Sequence, residues 1–258
     1  MNNNNYFFKA WEVIYPFAMY YAVNLVAMYI ALFLMGTNAE NYMVAQIFGA
    51  GVTIPMMLKR FYIPDRMYLD RDSIQNMKTV INGLVIALIA FLLGTGLNNI
   101  IAMTPLVDIS EAYKTANEYF YSGNLFYELL GAGIMVPILE EIVFRGIVFY
   151  RIKRSTGRKW MAIIISALMF SAIHFNIVQF IYALVLGIAL ALFMEKTDHI
   201  YGAIVGHMVI NIVGVLRTEF NLFTNLVDKS CFAWSCSLGM FIIGLILLGI
   251  YMMYQEKK

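Results

Sequence analysis

Long apolar stretches, separated by short polar ones, run through nearly the whole chain. Stretches that reach or approach the about 17–25 residues needed to cross a bilayer fall at 14–35, 42–58, 80–103, 125–150, 160–174, 177–194, 201–216 and 233–254. The pattern predicts an all-α fold, a polytopic membrane helical bundle of about eight transmembrane helices. The fifth run is short, and the fourth carries charges within it. Between the runs, 1–12 reads as a polar interfacial lead-in and 59–78 as a basic loop containing Pro64, with Asp65, Asp70 and Asp72 among its cations. The interval 104–124 is acidic and tyrosine-bearing and reads as an amphipathic surface helix. No repeat or linker divides the chain. The expectation is one transmembrane domain, 1–258: spans and outer loop at 1–124, core helices at 125–216, and a loop with the last span at 217–258.

Composition agrees. Of the 258 residues, 61% are hydrophobic and 13% charged, against about a quarter charged in soluble domains. The net charge of +2 says little, but its distribution orients the chain. With both termini cytoplasmic, the inner segments hold Lys9, Lys59, Arg60, Arg66, Arg71, Lys78, Arg151, Lys153, Arg154, Arg158, Lys159, Lys196, Lys257 and Lys258. The outer ones keep only Lys114, Arg217 and Lys229, as the positive-inside rule requires. Trp11, Trp160 and Trp234 each fall at a span end, where interfacial anchors belong. The first run is too long for a signal-peptide core and has no small-x-small site after it, so it is expected to be a retained span. Cys231 and Cys236 lie outside at the start of the last span, either as a disulfide or as two unpaired buried thiols; their spacing resembles no metal motif. Asn24, Gln46 and Asn82 read as interhelical hydrogen-bonding groups.

The fourth run changes this picture. Glu140, Glu141 and Arg145 sit inside it, and each such charge at a helix centre costs roughly 2.5–3.5 kcal/mol on insertion scales. They must be paired, hydrated or chemically employed. Glu141 and Arg145 are four residues apart in the favourable order for a same-face pair, which reads as a structural clamp. Glu140 points about 100° away and is left free. Gly131 and Gly133 permit close helix approach. Pro137 removes a backbone hydrogen bond one turn earlier, which predicts a kink and an opened turn where water could enter.

Later runs supply His174, His207 and Asn211. Counted from the inner span ends at about 1.5 Å per residue, Glu140 lies about 16 Å deep, His207 about 13 Å, Asn211 about 19 Å and His174 about 22 Å. His207 and Asn211 share a face, as do Phe170 and His174, and Phe170 is expected to pack over the site. His199, beside Asp198 in an inner turn, reads as solvated. The chemistry suits hydrolysis. A buried carboxylate can act as general base near neutral pH. Two histidines and a glutamate can hold a divalent metal that activates water; alternatively, His and Asn donate to an oxyanion with no metal. Ser166 and Ser171 invite a Ser–His reading, but no Gly-x-Ser-x-Gly surrounds them. His-Glu-x-x-His and Gly-x-Gly-Asp are absent, against site-two metalloproteases and presenilin-type aspartyl proteases.

Glu140-Glu141-x-x-x-Arg145, Phe170-x-x-x-His174 and His207-x-x-x-Asn211, in this order on successive helices, resemble the CAAX protease and bacteriocin-processing (Abi) family of intramembrane endopeptidases. The resemblance covers 125–216. It implies that Glu140 activates water together with His174, while His207 and Asn211 stabilise the oxyanion or complete a metal site. Glu140, His174 and His207 would be the ligands of a divalent metal, zinc foremost, and metal-free water activation stays open beside it. It further implies a membrane-associated peptide or protein substrate, no nucleic-acid partner, a bacterial cell-membrane location, and roles in peptide maturation or bacteriocin self-immunity. Two other functions compete. A non-catalytic scaffold of the same fold would keep its effect without Glu140. A proton-coupled transporter would use the buried Glu and His as an ion path, and would favour interrupted helices in both halves.

Overall fold

The computed structural model describes the backbone at 4–66 and 76–254, and side chains at 10–65 and 80–254. The expectations placed on Asp70, Arg71 and Asp72 lie outside the described residues. So do those on the side chains of Lys9, Arg66 and Lys78, and on Lys257 and Lys258.

The described residues are all-α. Helix α1 (Asn4–Met35) pairs with α2 (Ala39–Met57), which continues through a π-helical stretch (Leu58–Tyr62) into α3 (Ile63–Arg66). Helix α4 (Asn76–Ala102) leads to the short α5 (Pro105–Ile109) and α6 (Glu111–Phe120). The fourth run is a continuous rod over 125–156. It comprises α7 (Leu125–Leu130), a π stretch (Gly131–Met135), α8 (Val136–Glu141), a second π stretch (Ile142–Phe149) and α9 (Tyr150–Thr156). Then come α10 (Lys159–Ala172), α11 (Ile177–Thr197), α12 (Tyr201–Phe220), a 3₁₀ turn (Thr224–Leu226) and α13 (Cys231–Met253).

Every residue of Ile142–Phe149 is buried. Apart from Arg145, which is paired, the stretch is apolar all round, so it has to sit inside the bundle, and it packs against α1, α10 and α11. The surrounding helices keep an apolar face outward: Leu84, Leu88, Ile242 and Ile246 are exposed. Faces of that extent belong against lipid. Among the described residues, six helical segments have the length and apolarity to cross a membrane: Ala10–Met35, Ala39–Asp65, Val80–Ala102, Ile177–Thr197, Tyr201–Phe220 and Cys231–Met253. The protein is an integral membrane protein. The expected fourth run is the charged rod. The fifth is the 14-residue α10, which ends at Ala172, so His174 sits in the turn beyond it.

Three details depart from expectation. Asp65, read as part of a basic loop, pairs with Arg151 at 2.7 Å and ties α3 to α9. His199 is half-buried rather than solvated; its Nδ1 accepts from the Tyr201 N–H at the start of α12, where a free N–H needs a partner. Cys231 and Cys236 are free thiols, and neither is buried, Cys231 being exposed. Residues 104–124 form α5 and α6, and α6 packs across α2 and α11.

Candidate active site

The π stretch Gly131–Met135 sets the site. The Val136 N–H donates to Gly131 O, five residues back, which is the π register. Pro137, next along, has no N–H, so in that register the carbonyl of Ala132 lacks its backbone donor. The Asn211 side chain supplies one: Nδ2 donates to Ala132 O at 2.9 Å. The carbonyl released by the proline thus meets an amide from α12, where water was expected. An amide nitrogen carries two hydrogens, so Asn211 keeps a second donor for the cavity.

One turn on, Arg145 and Glu141 are wholly buried and paired at 2.9 Å. The second guanidinium nitrogen donates to Gly187 O at 2.9 Å. A side chain would crowd this contact, since a Cβ at Gly187 would stand 3.2 Å from that nitrogen and 3.2 Å from the Phe170 ring. The guanidinium lies 4.6 Å from the Phe170 ring centre. Glu141 does more than clamp this turn. Its Oε1 also accepts from His207 Nδ1 at 2.8 Å. A carboxylate neutralised by arginine accepts only, so Nδ1 carries the proton and Nε2 faces the other way.

His207 Nε2 faces Glu140, with Oε2 at 3.7 Å. Too long for a hydrogen bond, this is a gap between two groups that can address one small molecule. Glu140 is outside the Glu141–Arg145 pair, as its angular position predicted. His174 is oriented locally: Nδ1 lies 3.1 Å from Phe170 O, and a carbonyl only accepts, which leaves Nε2 with the lone pair. Phe170 stands edge-to-face with both imidazoles, at 5.3 Å from His174 and 5.5 Å from His207. It acts as a spacer that fixes both ring planes.

Glu140, His174, His207 and Asn211 line one cavity of about 440 Å³. Its other walls come from the C-terminal half of α1, the start of α2, the end of α4 and the N-terminal half of α11. Helix α6 closes it with Tyr113, Asn117 and Phe120. These are the helix ends remote from Lys59, Arg151, Lys159 and Lys196, so the cavity faces the side opposite the basic segments. Asn24 and Gln46 also line it; Gln46 bonds within its own helix, to Tyr42 at 2.9 Å, rather than between helices. A polar face at Tyr20, Asn24 and Gln46 was the available sequence signal for these walls. Beside α6, burial pushes the Tyr121 hydroxyl up to about 12. Ser166 and Ser171 donate to carbonyls of their own helix at 3.2 and 3.0 Å, which occupies both hydroxyls.

Among the described residues, no three His, Cys, Asp or Glu side chains gather as a metal-binding group. Glu140 and His207 face each other, and His174 lines the same cavity; a catalytic zinc would need three such donors joined at one point.

Residues 122–213 match the family model described as Rce1-like, type II CAAX prenyl endopeptidase. The match begins just before α7 and ends just after Asn211, enclosing Glu140, Glu141, Arg145, Phe170, His174, His207 and Asn211. No curated protein and no solved structure matches the chain.

Proposed function

Because residues 122–213 match the Rce1-like family of CAAX prenyl endopeptidases, we propose that the chain is an intramembrane endopeptidase hydrolysing a peptide bond in a membrane-associated peptide or protein. The observation that carries the mechanism is the Glu140–His207 gap of 3.7 Å in a cavity also lined by His174 and Asn211.

A water between these groups donates one hydrogen to Glu140 and the other to His174 Nε2. Glu140 takes its proton as the water oxygen attacks the scissile carbonyl carbon. The oxyanion accepts from the second amide hydrogen of Asn211 and from His207 Nε2, which takes up a proton from solvent as substrate binds and returns it when the acid product leaves. The proton on Glu140 then passes to the leaving nitrogen, and the C–N bond breaks to give an acid and an amine. Glu141, held by Arg145, keeps His207 turned toward Glu140. Each of these steps uses only the chain's own groups. The rod and α10 are taken as two further crossings, making eight, with both termini on the basic side. Substrate reaches the cavity from the opposite face.

The test is peptide cleavage read by mass spectrometry, using wild type and Glu140→Gln reconstituted with a library of membrane-protein peptides. Wild type should release defined products and the variant none. Equal processing by both would remove the assignment.

A further inference from the structure

The mechanism leaves the Tyr20 hydroxyl without a task. Tyr20, on α1, is only 5% exposed and lines the cavity together with Glu140. It lies outside the matched residues 122–213. Its ring is held from two sides, edge-to-face on Phe144 at 6.0 Å and tilted against Phe17 at 6.3 Å. Phe144 follows Glu140 by four residues, so the two share a face of the rod, and Tyr20 is within electrostatic reach of the Glu140 carboxylate. Phe144 in turn meets Phe170 at 5.3 Å, and Phe170 meets His207 at 5.5 Å. The rings form a row beside Glu140, with the phenol from α1 at one end and the imidazole from α12 at the other. Among the described residues, the Tyr20 hydroxyl makes no hydrogen bond, and its oxygen opens into the cavity. A buried hydroxyl without a partner is costly. The partner that the chain does not supply has to come from what fills the cavity.

A substrate peptide brings one. A peptide unit is planar and trans, so its N–H points opposite to its C=O. In the mechanism above, the scissile carbonyl oxygen turns toward Asn211 and His207 on α12. The N–H of the same bond then turns away from α12, toward the flank where the phenol stands. A hydroxyl oxygen carries two acceptor lone pairs. We propose that the Tyr20 hydroxyl accepts a hydrogen bond from the scissile N–H and so positions the leaving nitrogen. This rests on the endopeptidase reading and deepens it. The reaction has a use for that grip. As the carbonyl carbon becomes tetrahedral, the nitrogen becomes pyramidal and gains a lone pair that must meet the proton on Glu140. With its N–H held on α1, the nitrogen keeps that lone pair aligned rather than swinging free. The phenol keeps its own proton throughout. The site therefore favours bonds whose nitrogen carries a hydrogen, and a bond to the nitrogen of proline, which carries none, loses the contact.

The test compares two bonds that differ in that hydrogen. The library peptide that wild type cuts best is remade with the scissile NH replaced by oxygen, and both forms are given to wild type and to Tyr20→Phe. The variant keeps its ring on Phe144 and Phe17, so its Tm should be unchanged. It should lose about tenfold in kcat on the amide, the scale of one hydrogen bond. On the ester, which has no N–H to hold, it should lose less than twofold. Both rates are read on the same preparation, so any loss of folded enzyme cancels in their ratio. A loss as large on the ester as on the amide, or no loss on the amide, would overturn the proposal and leave the endopeptidase standing. Failure of wild type to cut any library peptide would instead remove the endopeptidase reading, and the proposal with it.

Discussion

At the scale of single residues, Glu141 separates two roles that the sequence had merged. It neutralises Arg145, and it fixes the proton of His207. Removing one partner of a buried pair leaves an uncompensated charge, at about 3–5 kcal/mol. Glu141→Gln should therefore lower Tm and activity together. Replacing the pair with apolar residues, Glu141→Leu with Arg145→Met, should recover most of the Tm by removing both charges. Activity should stay low, since His207 Nδ1 would still lack its acceptor. Recovery of both by the double variant would show that Glu141 serves only as a clamp. Glu140 predicts the reverse pattern. It is outside the pair, so Glu140→Gln should keep Tm within a degree or two. It should cost about 10²–10⁴ in kcat, the usual range for a general base.

At the scale of elements, the π stretch before α8 and the amide of α12 form one coupled device. Asn211→Ala leaves the Ala132 carbonyl without its donor, which should cost about 1–3 kcal/mol. Pro137→Ala returns an N–H to the rod and offers that carbonyl a partner again. The two changes should then be non-additive: in the Pro137→Ala background, Asn211→Ala should cost less in Tm than it does alone. Additive losses in a thermal-unfolding cycle would show that proline and amide act independently. This device was half legible. Pro137 announced a missing hydrogen bond, but the widened turn and the identity of its replacement donor depend on how α12 lies against the rod.

At the scale of the whole molecule, the orientation in the membrane decides which substrates can enter. Cys231 is exposed at the start of α13, on the same side as the cavity mouth. With native Cys236 replaced by alanine, Cys231 in intact cells should react with a membrane-impermeant maleimide. A cysteine introduced at Lys196, on the basic side, should react only after the cells are opened. The reverse pattern would invert the topology and bring substrate from the cytoplasm. Metal chemistry is also read at this scale, because a centre must draw donors from several helices. With no group of three His, Cys, Asp or Glu side chains placed to hold a metal among the described residues, cleavage should survive prolonged chelation with less than a twofold loss of rate. A fall to background, restored by added zinc, would reverse that conclusion.

Apolar run lengths alone set the helical, membrane-embedded character of the chain. The spacing of Glu140, Glu141, Arg145, Phe170, His174, His207 and Asn211 brought the reacting groups to notice, because charges inside apolar helices demand partners. Periodicity also fixed which carboxylate stays free, since adjacent helical residues point in different directions. Partners across helices could not be read this way. That His207 rests on Glu141, that Asn211 completes Ala132, and that Gly187 yields a carbonyl to Arg145 all depend on the packing and rotation of α11 and α12. Spacing along one helix sets a direction, and only the assembled bundle sets what lies in that direction.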